Sequence, residues 1–215
     1  MSQVGWSGLL YFAFMKSLLL IVLLAALGML SSCMMPDYKH QIAVNEAKLE
    51  KEGYVHPEAG QKAPAISTTD QDGAAFELSE ALQAGPVVLF FYPANNTPNS
   101  ANQLRQLGKL QDDLDKEGLG IRIFAINPAD KAETRQFMQE EGITVPVLYD
   151  PGLKISEQYG CASKDGGTVL QERSVVGVNP DGSIAFFQRR YFHRPPGVRM
   201  LQDKEHFNLQ PAVAE

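Results

Sequence analysis

The segment Tyr92-Pro93-Ala94-Asn95-Asn96-Thr97-Pro98-Asn99-Ser100 holds the densest chemical signal in the chain. Thr97 places a side-chain oxygen where a helix N-cap needs one, and Pro98 suits the first helical position. Ser100 then falls at about the third helical position. Backbone N–H groups there lack intrahelical partners, and the helix dipole adds partial positive charge, a setting suited to an anion or a thiolate. A second signal is Cys161, at the mouth of a Gly- and Asp-containing loop that leads to Arg173. It reads either as a small, partly buried hydrophobe or as a thiol approaching the Ser100 end of the fold. No CxxC stands near it. Serine-hydrolase chemistry is poorly supported, because Ser100 has no Gly-x-Ser-x-Gly setting. His40, His56, His193 and His206 read as solvated residues rather than bases, and they lack metal-ligand spacing. Arg189, Arg190, His193, Arg194 and Arg199 form a basic cluster that reads as a solvated edge, or as a contact for anionic lipid or a protein partner.

The elements that must position these residues alternate between strand and helix. Residues 86–92 are a run of β-formers suited to a strand buried on both faces. Leu104, Leu107, Leu110 and Leu114 recur at helical spacing after Pro98, and Asp112, Asp113, Asp115, Lys116 and Glu117 form a solvated helix end. Ile121 to Ile126 is the next strand. Asp130 with Glu133 resembles a capping box, Phe137 and Met138 sit on the helix it opens, and Gly142 closes that helix. A short strand over 145–149 and a short helix over 153–159 follow. Strands over 174–178 and 184–188 flank Asn179-Pro180-Asp181-Gly182, a tight hairpin turn. This order implies an α/β fold, with right-handed crossovers and a central mixed sheet flanked by helices. No internal repeat is seen.

Pro93, Thr97 and Pro98 stand at the spacing of the peroxiredoxin signature, and the segment resembles that family, especially its bacterioferritin-comigratory branch. Gly60, Ala63-Pro64 and Asp72-Gly73 through Leu78-Ser79 resemble the family's opening hairpin; Tyr159-Gly160, Arg173 and Asp181-Gly182 fit downstream. The resemblance runs over roughly residues 60–190. It implies a thioredoxin-like fold, no cofactor or metal, and a cysteine thiolate that attacks peroxide and is restored by a thioredoxin-like reductant. It also implies that Pro93, Thr97 and Arg173 frame the reactive position. At that position this chain has Ser100, preceded by Asn99 where glycine is usual. A thiol begins near pKa 8.5 and is lowered to about 3.5–7.5 in such a setting, whereas a serine hydroxyl starts far higher. Its oxygen has no sulfenic-acid product to form. The first expectation is therefore a family member without direct peroxidase activity, keeping a pocket for a small polar ligand or a partner. The alternatives are a thiol peroxidase using Cys161 and a structural lipoprotein of the cell envelope.

The N-terminal stretch belongs to none of these elements. Lys16 precedes an apolar run, Leu18 to Leu30, which at 1.5 Å per residue spans about 20 Å and falls short of a hydrocarbon core of about 30 Å. Leu30-Ser31-Ser32-Cys33 follows and resembles the lipobox of bacterial lipoproteins, making residues 1–32 a signal peptide and Cys33 a lipidation site. Met15 is an alternative start. An uncleaved anchor over Leu9 to Leu30 would bury the Lys16 charge. Residues 33–59 read as a polar tether, 60–195 as the domain and 196–215 as a C-terminal tail. Met34, where lipoproteins retained in the inner membrane often have Asp, favours the outer membrane facing the periplasm. The 215 residues include 44% hydrophobic and 20% charged, as in a globular protein. A net charge of −6 argues against nucleic acid as a partner, and two cysteines exclude a disulfide framework. Oligomeric state is left open.

Overall fold

The computed structural model describes residues 57–165, 168–189 and Phe207. The expected signal peptide, the expected lipidation site at Cys33, the expected tether up to residue 56, the four histidines and the basic residues beyond Arg189 lie outside the described residues.

The strand expected first in the core is β3 (Val87–Phe91), all five residues of which are buried. β4 (Arg122–Asn127) and β5 (Val147–Tyr149) run parallel on one side of it. β8 (Ser174–Val178) and β9 (Ile184–Arg189) run antiparallel on the other. The resulting order, β5-β4-β3-β8-β9, is the expected mixed sheet. Before it come a hairpin of β1 (Ser67–Thr69) and β2 (Ala75–Glu77) and the short helix α1 (Leu78–Ala81).

Alternation along β3 sorts the core into two layers, since successive side chains point to opposite faces. Val88 and Phe90, with Tyr92 beyond them, pack under α2 (Pro98–Lys116) and α3 (Lys131–Glu141) through Ala101, Leu104, Leu107, Leu114, Phe137 and Met138. Val87, Leu89 and Phe91 face Ile66, Leu78, Leu82, Ile155, Tyr159 and Cys161, the last three on or beside α4 (Lys154–Gln158). Full burial of a side chain such as Phe90 stabilises by about 1.5–3 kcal/mol. Leu110, expected on the buried stripe of α2, is only partly buried, and Ala101 carries the first turn of that stripe instead.

The helix ends follow the sequence. Asp130 accepts from the backbone N of Ala132 at 2.7 Å and of Glu133 at 3.4 Å, and Gly142 ends α3 in the left-handed region at φ 63°. Glu133 turns its carboxylate toward Asn95.

Three expectations change. The stretch from Gly160 to Arg173, read as a loop, is a two-stranded ribbon of β6 (Ala162–Asp165) and β7 (Thr168–Gln171). Phe207, assigned by sequence to a tail outside the domain, is buried against Phe186 with ring centroids 5.5 Å apart. The ring of Phe186 lies over Gly177, where a Cβ would come within 2.3 Å of it, so only glycine admits this packing. Arg189, read as part of a solvated edge, is buried, because its place opposite Ser174 turns its side chain toward the Cys161 layer.

Candidate active site

β3 delivers the chain to the Ser100 site and a buried polar network fixes its exit. The Asn127 amide donates to the Tyr92 carbonyl at 2.8 Å. The Tyr92 hydroxyl donates to Asn95 Oδ1 at 2.9 Å, and Asn95 Nδ2 donates to Thr134 Oγ1 at 3.1 Å. Burial, then the nearby Glu133 charge, push the Tyr92 hydroxyl well above its ordinary pKa, so it stays a donor. Asn96 takes the left-handed conformation at φ 55°, a region asparagine tolerates better than most residues. Thr97 is extended, at φ −111° and ψ 136°, and α2 begins at Pro98.

Ser100, Thr97 and Arg173 meet at this helix start. Thr97 Oγ1 accepts from the Ser100 backbone N at 3.2 Å, and the two hydroxyls bond at 2.8 Å. Arg173 arrives from the residue before β8 and donates through Nη2 to Ser100 Oγ at 3.0 Å. Ser100 is wholly buried and Arg173 only 8% exposed. Burial alone lowers the pKa of the guanidinium, and its Nε has no partner. Neither ion pair found among the described residues, Arg105–Glu141 or Lys116–Asp113, involves Arg173. Pro93 is exposed on the loop between β3 and α2.

Cys161 lies elsewhere. It is wholly buried in the layer facing away from α2, among Phe91, Tyr159 and Val176. Its Sγ donates to the Tyr159 carbonyl at 3.4 Å. Burial pushes the thiol pKa up strongly; the Ser174 hydroxyl and then the Arg189 charge oppose this, while Asp150 and Glu172 reinforce it. Burial wins, and the thiol is neutral at physiological pH. Arg189 donates through Nη2 to the Gly160 carbonyl at 2.6 Å, and its Nε and Nη1 have no partner. Among the described residues no group of three His, Cys, Asp or Glu is placed to hold a metal ion.

Sequence reasoning found the three residues that meet but missed two that hold the frame. Asn95, in an Asn-Asn pair that reads as plain loop, clips the loop to α3. Asp150 is a fully buried carboxylate that accepts from the backbone N of Ile155 and Ser156, each at 2.9 Å, and from Ser156 Oγ at 2.6 Å. An acidic residue just before a proline was its only signal.

A family model described as AhpC/TSA family matches residues 59–187, more than half of the chain. The chain belongs to the AhpC/TSA family. Its peroxiredoxin relatives include the chloroplastic peroxiredoxin Q of Populus jackii, 30% identical over 148 residues, which are 66% of this chain and 67% of that protein. The peroxiredoxin Q of Oryza sativa subsp. japonica is 28% identical over 62% of this chain, and the match takes in 59% of the rice protein's length. Among solved structures, peroxidoxin BcpB from Mycobacterium tuberculosis superimposes with a TM-score of 0.62 at 22% identity, covering 67% of this chain and 94% of that one. A PrxQ mutant from Xylella fastidiosa gives 0.64 at 17% identity, covering 70% and 97%. The peroxiredoxin fold is thioredoxin-like, as the sequence resemblance implied.

Proposed function

We propose that this peroxiredoxin-family protein is a membrane-tethered lipoprotein that has lost direct peroxidase activity and uses the Ser100 site to bind a ligand or partner. The observation that carries this reading is the hydroxyl of Ser100 in the first turn of α2, held by Thr97 at 2.8 Å and Arg173 at 3.0 Å. Ser100 stands where the family resemblance expects the reactive cysteine. A positive helix start and a guanidinium would ionise a thiol there, but they leave a hydroxyl protonated. The framework is kept while the nucleophile is absent.

The full chain, supplied with hydrogen peroxide and a thioredoxin-type reductant, is expected to consume peroxide at the background rate. The Ser100→Cys variant is expected to consume it faster. Turnover by the unmodified chain would overturn the loss of activity and favour Cys161 as the thiol. The tether rests on the spacing of Lys16, the apolar run and Cys33. It predicts palmitate labelling of the chain in a bacterial host that disappears in Cys33→Ala, and labelling that survives this substitution would contradict it. An outer-membrane position facing the periplasm, from Met34, would be contradicted by recovery of the chain with the inner membrane.

A further inference from the structure

We infer that a groove over Phe76 and Phe124 binds a small organic cation, a free protonated amine on an aromatic arm. The groove is separate from the Ser100 site and does not depend on the reading above. It lies on the layer facing away from α2, at the start of β4, whereas Ser100 follows the end of β3.

The sequence leaves this place open. Alternation along β4 turns Arg122, Phe124 and Ile126 to one face. Ile126 is fully buried there, Phe124 is only partly buried, and Arg122 stands at the first position of the strand. The apolar cover thins in that direction. A cavity of about 260 Å³ remains, lined by β2 and α1 together with β4 and β5. The rings of Phe76 and Phe124 meet in it with centroids 4.7 Å apart and planes tilted by 60°, and Leu148 adds a fully buried apolar wall. An aromatic arm packs well on such a pair, edge-to-face or offset. The volume falls just below the roughly 300–1,000 Å³ of pockets for drug-sized ligands, so a single ring with a short chain is the class that fits.

Charge selects what the ring carries. Asp70, Glu77 and Glu80 line the cavity against one cation, Arg122, so three carboxylates and one guanidinium leave a formal charge of −2. Arg122 is engaged elsewhere: its Nη2 donates to the Ala81 carbonyl at 2.6 Å, and the guanidinium lies 5.6 Å from the centre of the Phe124 ring. Asp70 accepts from the backbone N of Asp72 and Ala74, each at 2.9 Å, and Glu77 accepts from the Ser67 hydroxyl. Glu80 is exposed in the first turn of α1. Among the described residues the ion pairs are Arg105–Glu141 and Lys116–Asp113, so none of the three carboxylates is paired with a cation. An ammonium meets that uncompensated charge beside an aromatic floor, whereas a carboxylate meets three like charges.

Thermal unfolding of the full chain in a non-ionic detergent tests this, with 2-phenylethylammonium as the probe. 2-Phenylethanol and 3-phenylpropionate, at equal ionic strength, serve as its neutral and anionic counterparts. The amine should raise the melting temperature along a one-site curve, by about 2–4 °C at five times its dissociation constant, and the counterparts should not. Glu80→Gln, at an exposed position, should weaken binding about two- to fivefold, and Glu77→Gln with Glu80→Gln should weaken it further. Phe124→Ala should remove the shift; the two glutamine variants decide if that protein does not fold. Equal shifts from the amine and the alcohol would overturn the cation site, as would a larger shift from the propionate or no shift from any probe. An amine shift unchanged in the double glutamine variant would overturn it too.

Discussion

Two regions at the start of β8 present the same pair of ingredients in opposite proportions. On the α2 side, Arg173 and a helix start surround a residue that cannot ionise. On the far side, Arg189 lies near a residue that can, yet Cys161 is sealed in apolar surroundings that hold it neutral. One site has the setting without the thiol, and the other has a thiol without the setting. The contrast shows that an arginine near a cysteine does not make a nucleophile. At Cys161 desolvation outweighs the Arg189 charge, and the charge is spent on the Gly160 carbonyl. At Ser100 the guanidinium and the N-cap are aimed at one side-chain oxygen, so the same ingredients are arranged to act on whatever occupies that position.

The largest expected effect comes from moving the thiol into the setting. In Ser100→Cys, the introduced thiol should be oxidised by hydrogen peroxide at least about tenfold faster than Cys161 at pH 7, since a pKa of about 3.5–7.5 is usual for such a place. Stopped-flow competition with a reference thiol measures this, and equal rates would erase the distinction between the regions. The next effect sharpens it. Adding Arg173→Gln to that variant should slow oxidation roughly tenfold at pH 6, because an opposite charge lowers an acid's pKa by about 1–3 units. No change would show that the helix start acts alone.

A third effect reads the other region. The folded pKa of Cys161 is raised, so its contribution to stability is full below the unfolded value of about 8.5 and is lost as pH rises beyond it. Between pH 8.5 and 10 the chain should lose about 2 kcal/mol through this one group. Urea unfolding should show a flatter alkaline decline over this range in Cys161→Ala, because the tyrosines, with unfolded values near 10, contribute little below it. A decline as steep as in the parent would mean that Cys161 is not held neutral by burial. The smallest effect is at the cap: Thr97→Ala should cost about 1 kcal/mol and Thr97→Ser should restore most of it. A cost near zero would remove Thr97 from the frame of the Ser100 site.

How much of this was legible in the sequence depended on distance along the chain. The buried run of β3, the Thr97 cap, the Asp130 cap and the turn at Gly142 are local signals, and each formed where its residues predicted. The meeting of Ser100 with Arg173 is a contact across the fold that spacing alone does not encode; the family resemblance supplied it. The β6–β7 ribbon was missed because Lys164-Asp165-Gly166-Gly167 reads as loop, while the strands on either side are only four residues each. Arg189 was misread because charge suggests solvent, and only the register opposite Ser174 turns it inward. Phe207 carried no signal, since its burial depends on space left above Gly177 by a missing Cβ.

The most direct test of the account is peptide-resolved mass spectrometry of the full chain after a brief, low dose of hydrogen peroxide, with Ser100→Cys treated in parallel and Cys33 followed separately. The account predicts that the Cys161 peptide stays unoxidised in both proteins while the peptide containing position 100 gains oxygen only in the variant. Rapid oxygen addition at Cys161 in the unmodified chain would contradict it and return the chain to the thiol peroxidases.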